Sequence, residues 1–140
     1  MTISRSETSI QHNDPFAPLY PHQFMSLTTF RKSGEAVATP VWFAPDGAGH
    51  IYLTTGTVAG KLKRIHNNAE VRMVASDAKG SAVDGQPPLS GYAREVLPEE
   101  HAKAEATLLQ KYGEQYTAFI ARIAGNSLSG RTYIEIRPEK

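Results

Sequence analysis

Residues 50–67 read HIYLTTGTVAGKLKRIHN, and the hydrophobic period changes partway through them. His50–Thr55 is rich in β-branched and aromatic side chains and suits a strand. From residue 57 the spacing turns helical. Val58, Leu62 and Ile65 share one face, and Thr57 stands where an N-cap hydroxyl belongs. The reading is a strand that hands over to a helix across 57–67. A helix this short needs tertiary packing to exist.

Working outward, residues 24–31 (FMSLTTFR) form a strand, and Lys32-Ser33-Gly34-Glu35 forms a hairpin turn. Residues 36–44 (AVATPVWFA) alternate. Val37, Val41 and Phe43 fall on one face, and Ala38, Pro40 and Trp42 on the other. Pro40 has no N–H to give a ladder, so it belongs at an edge or a bulge. Pro45–Gly49 is a second turn. Downstream, 70–76 (EVRMVAS) and 90–97 (SGYAREVL) read as strands around a loop at 77–88, whose Asp77 and Asp84 suit turns better than acid/base chemistry.

Pro98-Glu99-Glu100 opens a helix running to Tyr112, where Gly113 ends it. A second helix covers 114–124, with Tyr116, Phe119, Ile120 and Ile123 as its apolar stripe. Residues 131–137 (RTYIEIR) close the chain as a strand. Six strands in hairpin order with a few short helices imply a mainly β, mostly antiparallel small barrel. No GxGxxG occurs, and the order excludes a doubly wound dinucleotide fold.

With 140 residues the chain makes one domain. The first 20 residues are expected to be a loosely ordered arm, its PFAPLYPH portion extended and non-helical, with the domain at 21–140. The polar start lacks an apolar leader segment, and no stretch approaches the roughly 20 apolar residues of a membrane span. Lys+Arg total 15 against 14 Asp+Glu, a net charge of +1, which excludes a strongly basic nucleic-acid binder. Cysteine is absent, which removes disulfides, thiol nucleophiles and thiolate metal sites. A cytoplasmic protein is the expectation.

Chemistry concentrates at Gly60-Lys61-Leu62-Lys63-Arg64. Cations at a helix N-terminus are unfavourable unless an anion binds there, and phosphate is the natural candidate. With Val58, Leu62 and Ile65 turned inward, Lys61 and Arg64 flank the buried stripe and Lys63 faces solvent. The bland alternative is an ordinary solvated basic face. Thr54 and Thr55, just before the helix, can complete a phosphate cradle or serve simply as strand-end residues. Trp42, the only tryptophan, either walls a flat ligand or belongs to core or interface. The histidines, His12, His22, His50, His66 and His101, show no metal-binding spacing, so no metal is expected. Hydrolase chemistry has no GxSxG to support it.

Taken together, TTFRKSGEAVATPVWF, HIYLTTGTVAGKLKRIHNNAEVRMVASDAKG, SGYAREV and TYIEIRP resemble the pyridoxamine-phosphate-oxidase-like split β-barrel superfamily. Within it they look most like the branch of oxidoreductases that use the deazaflavin coenzyme F420. The resemblance implies a six-stranded split β-barrel of the FMN-binding type. It also implies a homodimer with cofactor sites in interface grooves, a small conjugated or aromatic acceptor, and hydride transfer to or from the coenzyme. It implies cofactor contacts from Thr39, Pro40, Val41, Trp42, Thr54, Thr55, Gly60, Lys61 and Arg64. Flavin-using relatives carry phosphate-binding arginines where this chain has Thr39 and Gly60. That departure favours F420, with FMN as the alternative cofactor. A non-catalytic dimer holding a cofactor or a tetrapyrrole is the remaining alternative.

Overall fold

The computed structural model describes residues 14–126 and 130–139. In chain order the strands are β1 (Phe24–Phe30), β2 (Ala36–Trp42), β3 (Ala44–Pro45), β4 (Ile51–Gly56), β5 (Glu70–Ser76), β6 (Leu89–Glu95) and β7 (Arg131–Arg137). The helices are α1 (Gly60–Asn67), α2 (His101–Tyr112) and α3 (Glu114–Asn126), with 3-10 turns at Ala17–Leu19 and Pro98–Glu100. Every strand pairing is antiparallel, in the order β2-β1-β5-β6-β7-β4-β3.

The two ends of that order, β2 and β3, are consecutive in the chain and separated only by Phe43. The expected strand over 36–44 is therefore broken. It pairs with β1 up to Trp42, kinks, and pairs with β4 from Ala44. This one kinked run belongs to both edges, so the sheet curls round on itself. Seven segments make the six strand runs expected from the sequence, and the split β-barrel stands. Pro40 sits on the terminal strand β2, opposite Ser26, where a missing N–H costs no ladder bond to a further strand.

Phe43 leaves the ladder with its N–H and C=O both buried, and Tyr112 of α2 answers for them. The Tyr112 hydroxyl accepts from the Phe43 N–H at 2.8 Å, and it lies 2.7 Å from the carbonyl oxygens of both Phe43 and Gln23, either of which can take its proton. The Phe43 side chain turns into the barrel, against Met25, Leu27, Ile51, Leu53 and Ile134. Gly91 on β6 permits a close approach, since a Cβ there would stand 2.9 Å from Ile136. A second cluster, including Tyr52, Leu108, Tyr112, Tyr116 and Tyr133, lies between the sheet and helices α2 and α3.

An ion network fastens the far side. Glu135, only 3% exposed, accepts from Arg94 at 2.8 Å, Arg137 at 2.9 Å and the Tyr52 hydroxyl at 3.1 Å. Arg94 also grips Glu100 through two hydrogen bonds of 2.7 and 3.1 Å. Its guanidinium, with the Leu97 N–H, holds the Glu100 carboxyl down to about 2. The expected turn at Gly34 is present, with φ +94° and its N–H on the Arg31 carbonyl. Asp77 is a turn residue, its carboxylate accepting from the N–H groups of Lys79 and Ser81.

Several expectations are corrected. Val58 does not face the core but is 82% exposed, because the helix begins at Gly60 and Val58 lies in the preceding turn. Thr57 is not the N-cap; Ala59 holds that position without a side-chain hydrogen bond, and the Thr57 N–H bonds to Gly130. The PFAPLYPH segment is not extended. It coils into the 3-10 turn, started by Asp14 accepting from the Phe16 N–H, and Phe16 and Leu19 enter the barrel core. The first 13 residues of the expected arm, His12 among them, lie outside the described residues. Tyr116 is buried and Ile120 half-buried as the α3 stripe requires, while the Ile123 side chain lies outside the described set.

Two stability measurements follow from this packing. Tyr112→Phe strands buried polar groups at the kink and is expected to cost about 1–3 kcal/mol in urea unfolding. Leu62→Ala is expected to cost about 2–5 kcal/mol, whereas Val58→Ser changes stability by less than about 0.5 kcal/mol. Equal losses at 58 and 62 would contradict the described helix start.

Candidate functional site

The kink, the end of β4 and the start of α1 enclose a groove of about 290 Å³. Pro40, Val41 and Trp42 of β2 line one side, and Thr54, Thr55 and Gly56 of β4 the other. Lys61 enters from α1, Arg131 from β7, Phe24 from β1 and Phe119 from α3.

Trp42 is committed to aromatic packing. Its ring stacks on Tyr112 at 4.6 Å between centroids and on Phe119 at 4.8 Å, and meets Phe24 edge-on at 6.2 Å. It therefore belongs to both readings offered by the sequence: it is packed against the second cluster and it walls the groove. Because Tyr112 also holds the Phe43 backbone, one residue fixes both the kink and the groove wall beside it.

The polar side of the groove is basic. Lys61 is half-buried, and burial, reinforced by Arg64 and Arg131, shifts its ammonium below the usual lysine range. Thr54 donates its hydroxyl proton to the Thr132 carbonyl at 3.0 Å, and Arg131 Nε approaches the same hydroxyl at 3.4 Å. Thr55 is buried. Among the described residues, none that lines the groove is acidic.

Six of the nine site residues expected from sequence thus converge: Pro40, Val41, Trp42, Thr54, Thr55 and Lys61. Thr39 does not line the groove; it sits in the β1–β2 ladder opposite Leu27. Gly60 and Arg64 lie round the helix in a separate cleft with Arg31, Lys32 and Lys63. Arg64 turns away because its Nε donates to Thr29 Oγ1 at 2.6 Å. Its guanidinium fills the space beside Gly60, where a Cβ would stand 2.9 Å from Nη1. Lys63 is exposed as expected.

Sequence reasoning missed Arg131, Phe24 and Phe119. Arg131 joins the groove only through the pairing of β7 with β4, which sets it opposite Gly56. No local pattern marks such a long-range neighbour. Phe119 was visible as a stripe residue but not as a groove residue.

Another cleft, of about 270 Å³, contains Tyr20, Asp46 and Lys111. Burial lowers Lys111 to about 8, yet its ammonium donates to the His22 carbonyl at 2.8 Å and lies 3.6 Å from the Phe43 ring centre, a structural use. His50 pairs with Asp46 and His66 with Glu95. Among the described residues no cluster of His, Cys, Asp and Glu is arranged to hold a metal ion, and no helix is long and apolar enough to cross a membrane.

A barrel closed by a kinked strand, with a basic groove where β4 meets α1, fits one sequence family. The profile of pyridoxamine 5'-phosphate oxidase matches residues 16–140. The chain belongs to the pyridoxamine 5'-phosphate oxidase family. None of the curated proteins matches it. Among solved structures, the fold of this family member is similar to a putative pyridoxamine 5'-phosphate oxidase from Listeria innocua (TM-score 0.56, 16% identity, covering 99% of this chain and 94% of that one). It is also similar to the haem storage protein HutZ from Vibrio cholerae (TM-score 0.62, 12% identity, 97% and 89% covered). A third likeness is to a FAD-binding protein from Mesorhizobium loti (TM-score 0.57, 15% identity, 98% and 88% covered). At these identities the likenesses show the fold.

The electrostatics of the groove are directly testable. In the free protein Lys61 titrates below an ordinary lysine, because burial and neighbouring cations favour the neutral amine. An anion in the groove raises that value, so binding at alkaline pH takes up a proton. NMR titration of the Lys61 Cε and Nζ resonances, with and without ligand, reads both effects. An ordinary titration that ligand does not move would contradict the assignment of charge.

Proposed function

We propose that this family member is a deazaflavin (coenzyme F420)-dependent oxidoreductase. The observation that carries the reading is the convergence of Lys61, Thr54 and Thr55 in a groove bordered by Pro40–Trp42 and, among the described residues, free of carboxylates. These residues suit a phosphate-bearing, ring-containing coenzyme: cation and hydroxyls for the phosphate, a strand edge and an aromatic wall for the ring. When bound, the coenzyme supplies the hydride chemistry.

The chain's own part is orientation and charge. Lys61 and Thr55 hold the phosphate. The backbone of Pro40–Trp42, on the terminal strand of the sheet, offers hydrogen bonds to the ring edge. Trp42, held by Tyr112 and Phe119, fixes the wall against which the ring lies. No dedicated acid/base pair is required, since water can deliver the accompanying proton. The acceptor is a small conjugated or aromatic molecule. A second protomer completes the site, giving a cytoplasmic homodimer with coenzyme at its interface.

F420 is preferred to FMN for two reasons. Thr39 and Gly60 replace the arginines that the flavin-using relatives bring to the phosphate. The cleft of Arg31, Lys32, Lys63 and Arg64, on the neighbouring face of α1, suits the acidic tail that F420 carries and FMN lacks. The Arg64 guanidinium beside Gly60 occupies part of the space a side chain at 60 would take, so FMN remains the second reading.

Fluorescence titration with F420 and with FMN tests this. F420 is expected to bind more tightly. Lys61→Ala is expected to weaken binding of either coenzyme by about ten- to a hundredfold, the scale of one lost charge-assisted hydrogen bond, and Lys63→Ala, in the tail cleft, to leave FMN within about threefold. Preferential FMN binding would favour the flavin alternative. Binding without turnover on quinones, enones and tetrapyrroles would favour a carrier.

A further inference from the structure

We infer that Arg131 is the second cation of the groove's anion clasp, and that the clasp binds the phosphate group of its ligand. The inference rests on the reading of the groove as a coenzyme site, and adds a residue that neither the helix motif nor the family resemblance assigns.

The placement comes from the sheet. Arg131 opens β7 and pairs with Gly56, while Thr54 lies two residues back on the same face of β4. The guanidinium therefore runs along β4 toward the groove, with Nε 3.4 Å from Thr54 Oγ1. A contact that long is at the limit of a hydrogen bond and does not satisfy a guanidinium with five N–H donors. The Thr54 proton is meanwhile given to Thr132, so the hydroxyl is left as an acceptor for Arg131.

Lys61 enters the same groove from α1. Among the described residues neither Lys61 nor Arg131 has a carboxylate in ion-pair contact. Glu105, which shares the surroundings of Tyr133 with Arg131, accepts from the Tyr133 hydroxyl instead. Two like charges thus face one half-buried space with no internal counterion, an arrangement that an anionic ligand relieves. A forked guanidinium and an ammonium in one groove match the non-bridging oxygens of a phosphate, which can accept from both at once. A neutral ring system gains nothing from the pair.

The test compares wild type, Arg131→Ala, Arg131→Gln and Arg131→Lys using inorganic phosphate, FMN and riboflavin as probes, with intrinsic Trp42 fluorescence and thermal unfolding as readouts. Riboflavin is FMN without its phosphate. The expectation is that Arg131→Ala and Arg131→Gln weaken FMN at least tenfold, leave riboflavin within threefold, and abolish stabilisation by inorganic phosphate. Arg131→Lys is expected to fall between. Phosphate stabilising only the wild type, with no flavin or F420 binding, would uphold the clasp and sink the coenzyme reading. Tight coenzyme binding unchanged in Arg131→Gln would sink the clasp and spare that reading. Equal losses for FMN and riboflavin would also overturn the clasp, assigning Arg131 to the ring or to groove shape.

Discussion

The hydroxyl of Tyr112 is the interaction on which the rest of the molecule turns. A strand that must belong to both edges of one sheet has to leave the ladder somewhere, and at Phe43 it does so in a buried place. A buried N–H and C=O without partners would carry a penalty comparable to the net worth of several ordinary hydrogen bonds. The phenol resolves this with one atom, accepting at 2.8 Å and donating at 2.7 Å. Its ring then stacks on Trp42. Barrel closure, the docking of α2 and the wall of the groove are consequently one structural event.

The charge distribution follows from the same geometry. Overall the chain is nearly neutral, with a net charge of +1. Two of its acids, Glu135 and Glu100, surround Arg94. The start of α1 gathers cations instead, and among the described residues Lys61 and Arg131 have no carboxylate in ion-pair contact. Lys61 and Arg131 share the groove, and Arg64 joins Arg31, Lys32 and Lys63 round the helix. A helix that begins with no side-chain cap and no acid in its first turn has N–H groups free for an external anion.

Much of the fold was legible from local pattern. The hairpin at Gly34, the strand–helix change after residue 55, the Gly113 break and the terminal strand all depend on residues adjacent in sequence. The kink did not show, because AVATPVWFA alternates without interruption and only the closing of the sheet, 69 residues away at Tyr112, breaks it. Val58 misled for a related reason: its spacing fits the stripe, but the turn before Gly60 removes it from the helix. At the site, residues contributed by the β4–α1 junction and by β2 were found because each lies in a short motif. Arg131 was not, since its place is a property of strand register. Arg64 lies in the neighbouring cleft rather than beside Lys61, because helical phase cannot foresee its bond to Thr29 on another strand.

The central claim is that an anionic coenzyme group sits where β4 hands over to α1. The most direct measurement is a crystal structure of the protein with F420 or FMN bound. The account predicts phosphate density between Lys61 and Arg131, with the ring along Pro40–Trp42 and a second protomer across the groove. Coenzyme density elsewhere, for example in the Lys111 cleft, with the β4–α1 groove left without ligand, would contradict it.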